Sequence, residues 1–174
     1  MKELIPNMDD LPSEGPNLNL CELIALDESN KIEGEYKSDR LIASAGAWLY
    51  MKQAPVLTLD LILTIHRILM VPTTTIAKCH KGVWRPYDIS IAGHRGTPFA
   101  NVPYEMERWL QNFGDAHHLD SIQGAHVAYE RIHPFADGNG RSGRMIMNWQ
   151  LMKAGFPIAV ILESNRYEYY SWFE

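Results

Sequence analysis

Residues 133–144 read His-Pro-Phe-Ala-Asp-Gly-Asn-Gly-Arg-Ser-Gly-Arg, and together with the ten residues after them they narrow the fold more than any other stretch. Asp137-Gly138 and Asn139-Gly140 are turn pairs that by themselves would suit the tip of a hairpin. Arg141 to Ala154, however, shows no apolar–polar alternation and is rich in helix formers, so the turn opens a helix rather than a strand. Glycines on either side of Asn139 let backbone N–H groups converge, and the helix start adds partial positive charge. The junction is a natural anion seat, and phosphate is the obvious guest. The side chains around it supply what phosphoryl-type transfer requires: a base in His133, a carboxylate in Asp137 and guanidinium groups in Arg141 and Arg144.

The rest of the chain reads as mainly α, a helical bundle with one β-hairpin. Residues 1–16 are rich in proline and acidic side chains and are expected to form an N-terminal arm, with a single domain over 17–174. An apolar stripe through Leu18, Leu23, Ile24, Leu26 and Ile32 predicts a helix over about 17–33, stopped by Gly34. Further helices are expected over 39–50, 59–69, 103–113, 120–132 and 141–154, the last capped by Gly155. Between them, Ile89 and Ile91 alternate with polar neighbours before a Gly93-His94-Arg95-Gly96 turn, which predicts the hairpin over about 85–100.

Bulk properties exclude several classes. A net charge of −5 and a pI near 5.8 leave no broad basic face for nucleic acid. No apolar run is long enough to span a bilayer, and the N-terminus has neither signal-peptide nor transit character, so a cytoplasmic protein is expected. Cys21 and Cys79 are too few for a disulfide framework and lack zinc-site spacing; both are expected to be reduced thiols. Oligomeric state and target are not legible in the sequence.

The segment at 133–144 resembles the signature HPFx[D/E]GNGRxxR of the Fic family at every defined position. That resemblance implies the Fic fold and a transfer of AMP from ATP to a Ser, Thr or Tyr hydroxyl of a target protein. His133 would deprotonate the hydroxyl, and Asp137 would hold Mg²⁺ with the nucleotide. Asn139 and the amides of Gly138 and Gly140 would grip the α- and β-phosphates, Arg141 the β-phosphate region and Arg144 the γ-phosphate. Pro134 and Phe135 are read as structural, as are His66, His80, His94, His117, His118 and His126, while Ser142 and Gly143 fill unconstrained positions. Doc-like members, which phosphorylate their target, carry lysine for the second loop glycine and lack the second arginine. Gly140 and Arg144 place this chain with the AMP-transferring branch.

A second segment, Ser29-Asn-Lys-Ile-Glu33-Gly34, resembles the family's inhibitory motif [S/T]xxxE[G/N]. A glutamate in the last turn opposes the helix dipole, at about 0.3–1 kcal/mol, unless a cation compensates. By resemblance that cation is Arg144, and Glu33 with Ser29 nearby would block the γ-phosphate seat. The hairpin at 85–100 matches the position of the family's flap, which holds the target in extended form by backbone hydrogen bonds. Fic domains usually continue past a segment like Arg166-Tyr167-Glu168-Tyr169-Tyr170 into a helix that walls the adenine pocket; here that wall is expected to be short, missing or supplied by a partner. Two other readings stay open: removal of AMP or transfer of another nucleotide at the same site, and a catalytically silent binding or antitoxin-like module.

Overall fold

Asn19 opens the first helix, α1 (Leu20–Ile32). Its side chain accepts from the Glu22 N–H at 2.9 Å, and the Glu22 carboxylate accepts from the Asn19 N–H at 3.0 Å, closing a capping box. The helix is shorter than the expected 17–33 because Asn19 caps rather than continues it. Gly34 follows Glu33 with φ of 72°, a left-handed position that favours a residue without Cβ. These features belong to a computed structural model that describes residues 17–74, 76–77, 80–91 and 93–173. The expected arm over 1–16 and the Cys79 thiol lie outside the described residues, whereas Cys21 is an exposed free thiol.

Helix α2 (Ser38–Lys52) lies against α1, joined by a Lys52–Glu22 ion pair of 2.7 Å and by the Ser44 hydroxyl donating to Asn30 Oδ1 at 3.1 Å. Helix α3 (Leu59–Leu69) starts where Thr58 accepts from the Leu61 N–H at 3.1 Å. Its strong apolar face buries Ile62, Ile65 and Leu69. Strands β1 (Ser90–Ile91) and β2 (His94–Arg95) pair antiparallel, with Ser90 opposite Arg95 and Ile91 opposite His94. Strand pairing thus covers far less than the expected 85–100. Flanking bonds hold the remainder: Gly96 N–H donates to Ile89 O at 3.0 Å, and Phe99 N–H donates to Asp88 Oδ1 at 2.8 Å.

Helices α4 (Val102–Phe113), α5 (Leu119–Ile132) and α6 (Asn139–Lys153) complete the bundle, and α7 (Arg166–Tyr170) returns the chain to the site. Helix α6 is central, with eleven of its fifteen residues buried, among them Arg141, Ser142, Arg144 and Gln150. A helix enclosed on most sides shows no clean amphipathic stripe. It begins at Asn139 rather than the expected Arg141, because Gly138 is already its N-cap. Helices α1, α3 and α5 all pack on α6, and the apolar core runs between them through Trp48, Met51, Ile62, Met106, Phe135 and Ile146.

Two glycines should respond oppositely to alanine. At Gly82, φ is 72° and a Cβ would stand 2.7 Å from Arg67 Cβ and 2.8 Å from Leu63 O. Gly124 lies exposed within α5 with open space around it. Urea denaturation should show Gly82→Ala losing on the order of 2 kcal/mol or more. Gly124→Ala should gain about 0.5–1 kcal/mol.

Candidate active site

His133 ends α5 in the left-handed region, with φ 52° and ψ 64°, the one described non-glycine residue with positive φ. Such a conformation costs about 1–3 kcal/mol and persists only where surrounding bonds enforce it. Arg85 supplies them. Its backbone N–H donates to Pro134 O at 2.9 Å, its Nε to His133 O at 2.8 Å and its Nη2 to Ile132 O at 3.3 Å. The same guanidinium reaches Tyr87 O at 2.8 Å and also Thr97 O, so one buried cation ties the hairpin's base to the loop that carries His133.

His66 secures the other side of that loop. The Gly82 N–H donates to its Nδ1 at 2.9 Å, so Nε2 carries the proton and donates to Asp137 O at 2.8 Å. Its ring stacks on Phe135 with centroids 3.6 Å apart. Burial holds His66 down at about 4, so it stays neutral and keeps this tautomer.

Between these anchors the turn delivers its groups to the start of α6. Gly138 takes φ of 80° as N-cap, and its N–H donates to Asp137 Oδ1 at 2.6 Å. Asn139 departs from the expected role. Its Oδ1 accepts from Phe135 N–H at 2.8 Å and its Nδ2 donates to Phe135 O at 2.9 Å, so the side chain staples the loop. Only its backbone N–H is left to meet a phosphate. Ser142 is likewise far from unconstrained: it is fully buried, bonds the Tyr129 hydroxyl at 2.8 Å and donates to Gly138 O at 2.9 Å. Gly143 is fixed too, because a Cβ there would strike Glu130 and Tyr129. Arg141 is 3% exposed; its Nη2 stands 3.4 Å from Asp137 Oδ1, while Nε and Nη1 are buried without a hydrogen-bond partner. Buried donors of a cation left unmade are costly, and an anion would satisfy them.

Arg144, one turn further, is bonded on every side. Its Nη2 donates to Glu33 Oε1 at 2.7 Å and to Ser29 O at 2.9 Å, and its Nε donates to Ser29 Oγ at 2.9 Å. Its Nη1 reaches the Tyr169 hydroxyl at 3.2 Å, and the guanidinium lies 5.4 Å from the Tyr169 ring centroid. Glu33 approaches over Gly140, where a Cβ would collide with its carboxylate.

Residues 56–151 match the Fic/DOC family. "Protein adenylyltransferase Fic" of Aedes aegypti is 33% identical over 156 residues, which cover 86% of this chain and 30% of that protein. The chain belongs to the Fic/DOC family. The protein of the same name from Drosophila erecta is 31% identical over 151 residues, 84% of this chain and 29% of its own. This Fic chain therefore spans less than a third of those curated relatives. In fold it is similar to the solved structure of Fic-1 residues 134–508 from C. elegans, with a TM-score of 0.74 and 20% identity over 88% of this chain and 55% of that one.

The geometry of this Fic domain thus brings His133, Asp137, Gly138, Asn139, Gly140, Arg141 and Arg144 together at one end of α6, with Ser29 and Glu33 against them. No cluster of three metal-ligating side chains exists among the described residues. A single carboxylate, Asp137, fits an ion held mainly by a nucleotide, the mode Mg²⁺ favours, and not an all-protein cage. No helix among the described residues is long and apolar enough to cross a membrane. Sequence reasoning missed Arg85 and Tyr169. Arg85 stood in the Gly82-Val-Trp-Arg85 run with no charged partner to hint at its role, and only the fold reveals that its donors meet main-chain carbonyls.

His126 completes the Arg144 network. Arg144 donates to the Tyr169 hydroxyl, whose oxygen also lies in hydrogen-bond contact with His126 Nε2 at 2.8 Å. Burial, aided by Arg144, holds His126 down at about 3. A histidine with a lowered folded pKa contributes stability that is complete above its unfolded value near 6.5 and is lost as pH falls towards the folded one. Urea midpoints followed by tryptophan fluorescence should therefore fall as pH drops below about 6.5. The fall should be shallower in His126→Gln, whose amide oxygen can still accept from Tyr169; parallel curves would refute this assignment.

Proposed function

We propose that the chain is an autoinhibited protein adenylyltransferase, transferring AMP from ATP to a Ser, Thr or Tyr hydroxyl of a target protein. The observation that carries this reading is the contrast between two arginines on one helix. Arg141 has buried donors without partners, and Arg144 is bonded by Ser29, Glu33 and Tyr169. The first suits a seat awaiting phosphate, and the second suits a seat whose donors are mostly engaged by these three residues. The names of the relatives support the same activity.

In this reading the triphosphate lies along the N-terminal turn of α6. The Gly140 and Asn139 amides and Arg141 meet the α- and β-phosphates, and Arg144 meets the γ-phosphate. Asp137 would hold Mg²⁺ together with the nucleotide, the ion offsetting phosphate charge. The target lies along the β1–β2 edge, its hydroxyl presented to His133. Burial keeps His133 below its ordinary value, so it is neutral and able to accept a proton at neutral pH. The hydroxyl proton passes to His133 while its oxygen bonds the α-phosphorus; the bond from that phosphorus to the bridging oxygen breaks, and pyrophosphate leaves. Glu33 opposes this by holding Arg144, so the γ-phosphate loses its cation and the α-phosphate its alignment for in-line attack. We place this activity in the cytoplasm, the compartment expected from the sequence.

Transfer of label from [α-³²P]ATP tests the reading. Glu33→Gly should raise transfer roughly tenfold or more over the parent protein, and His133→Ala in that background should abolish it. Arg144→Ala should stay low even when combined with Glu33→Gly, an asymmetry that loss of a surface ion pair worth about 0–1 kcal/mol does not produce. Equal transfer by the parent and Glu33→Gly would sink the inhibitory part. Undiminished transfer without His133 would remove it from the chemistry.

A further inference from the structure

Glu130 sits in the last turn of α5, three residues before His133, with its side chain 12% exposed. Its Oε2 is 3.8 Å from His133 Nδ1, and the same Nδ1 lies 3.3 Å from Glu130's own backbone carbonyl. Its Oε1 is sealed from solvent without a hydrogen-bond partner and faces Gly143, where any Cβ would collide with it. A carboxyl group enclosed in this way is unfavourable for folding, and such exceptions gather where a reaction needs them. The Glu130 carbonyl at 3.3 Å accepts from Nδ1, which places the proton there and leaves Nε2 as the basic nitrogen, while Oε2 stands beside the same Nδ1 at 3.8 Å, just beyond hydrogen-bond reach.

We propose that Glu130 is a positioning residue for the transfer reaction, its carboxylate backing the His133 ring so that the two residues take up the target hydroxyl's proton as a pair. This rests on the adenylyltransferase reading. When Nε2 accepts the hydroxyl proton, the ring gains a positive charge that burial and the nearby Arg85 both disfavour. Glu130 answers that charge by drawing the Nδ1 proton towards Oε2. No proton is created or lost: one leaves the hydroxyl, the pair holds one more, and it passes to solvent after pyrophosphate departs.

Several charged or titratable groups face the pair. Arg144 on α6, Glu33 at the end of α1, Tyr129 on α5 and Tyr169 and Tyr170 on α7 surround Glu130. Arg85, Glu33 and Asp137 act on His133. Burial pushes Glu130 up to about 8, with Arg144 pulling it down and Glu33 pushing it up. Removing Glu33 should therefore bring its ionisation below that value. The carboxylate forms as pH rises, whereas His133, held low, is already neutral. A rise in rate across neutral pH belongs to Glu130.

The test uses the full chain carrying Glu33→Gly, alone and with Glu130→Gln or Glu130→Met, monitored by label transfer from ATP over roughly pH 6 to 9 and by ¹⁵N NMR of the histidine ring. The parent variant should show kcat rising with pH and a second inflection in the His133 nitrogen shifts. Both neutral variants should lose the rise and the inflection, with kcat about tenfold lower and the KM for ATP within about twofold. A merely structural glutamate would leave the pH curve in place. Unchanged kcat and pH profile in both variants, or identical His133 shifts, overturns the proposal. If Glu33→Gly itself transfers no label, the adenylyltransferase reading fails instead, and the NMR titration still decides whether Glu130 and His133 titrate as a pair.

Discussion

A guanidinium buried in the middle of a bundle must be given partners, and Arg144 dictates much of what surrounds it. It is 3% exposed, so leaving its donors unmade would cost several kcal/mol. Ser29 and Glu33 meet it from α1, and Tyr169 meets it from α7. The short C-terminal helix and the first helix are therefore held to α6 by the same cation. On α1, Leu20, Leu23 and Ile24 are exposed, while Ala25, Leu26 and Ile32 are buried against the bundle. The contact of α1 with Arg144 itself is a polar clasp, and a polar clasp is a bond that a competing anion can replace.

The loop before α6 is built on a different principle. Its anchors, His66 and Arg85, make their bonds mainly to main-chain atoms, so they fix backbone positions without occupying the side chains that do chemistry. The left-handed strain at His133 is held by Arg85 on its carbonyl, and the ring stands beside Glu130. A backbone held rigid by partners outside the chemistry is the arrangement that preorganised sites require.

Much of this was legible in sequence because its spacing is local. A turn feeding a helix and a glycine after Glu33 both act within a few residues, whereas the Asn19 cap that shortens α1 went unread. Helix α3 was readable from its apolar face. Helix α6 was harder, since burial on most faces removes the stripe and its start depended on whether Gly138 would cap it. Asn139, Ser142 and Gly143 were misjudged for one reason. Side chains read as reaching outward towards a ligand, or as free to vary, instead close bonds and contacts inside the loop. Arg85, Tyr169 and Glu130 lie far in sequence from the groups they serve or share no motif with them, so only the packing of α5, α6 and α7 brings their roles into view. The hairpin was overestimated because alternation in Ile89 and Ile91 says nothing about how many residues actually pair.

On the proposed reading, inhibition is a competition between Glu33 and ATP for Arg144, and calorimetric titration of ATP with Mg²⁺ measures it without any target protein. Glu33→Gly should bind ATP more tightly than the parent chain, by roughly tenfold or more, and adding Arg144→Ala should reverse the gain. Equal affinities for the parent and Glu33→Gly, or a gain that survives the loss of Arg144, would contradict it.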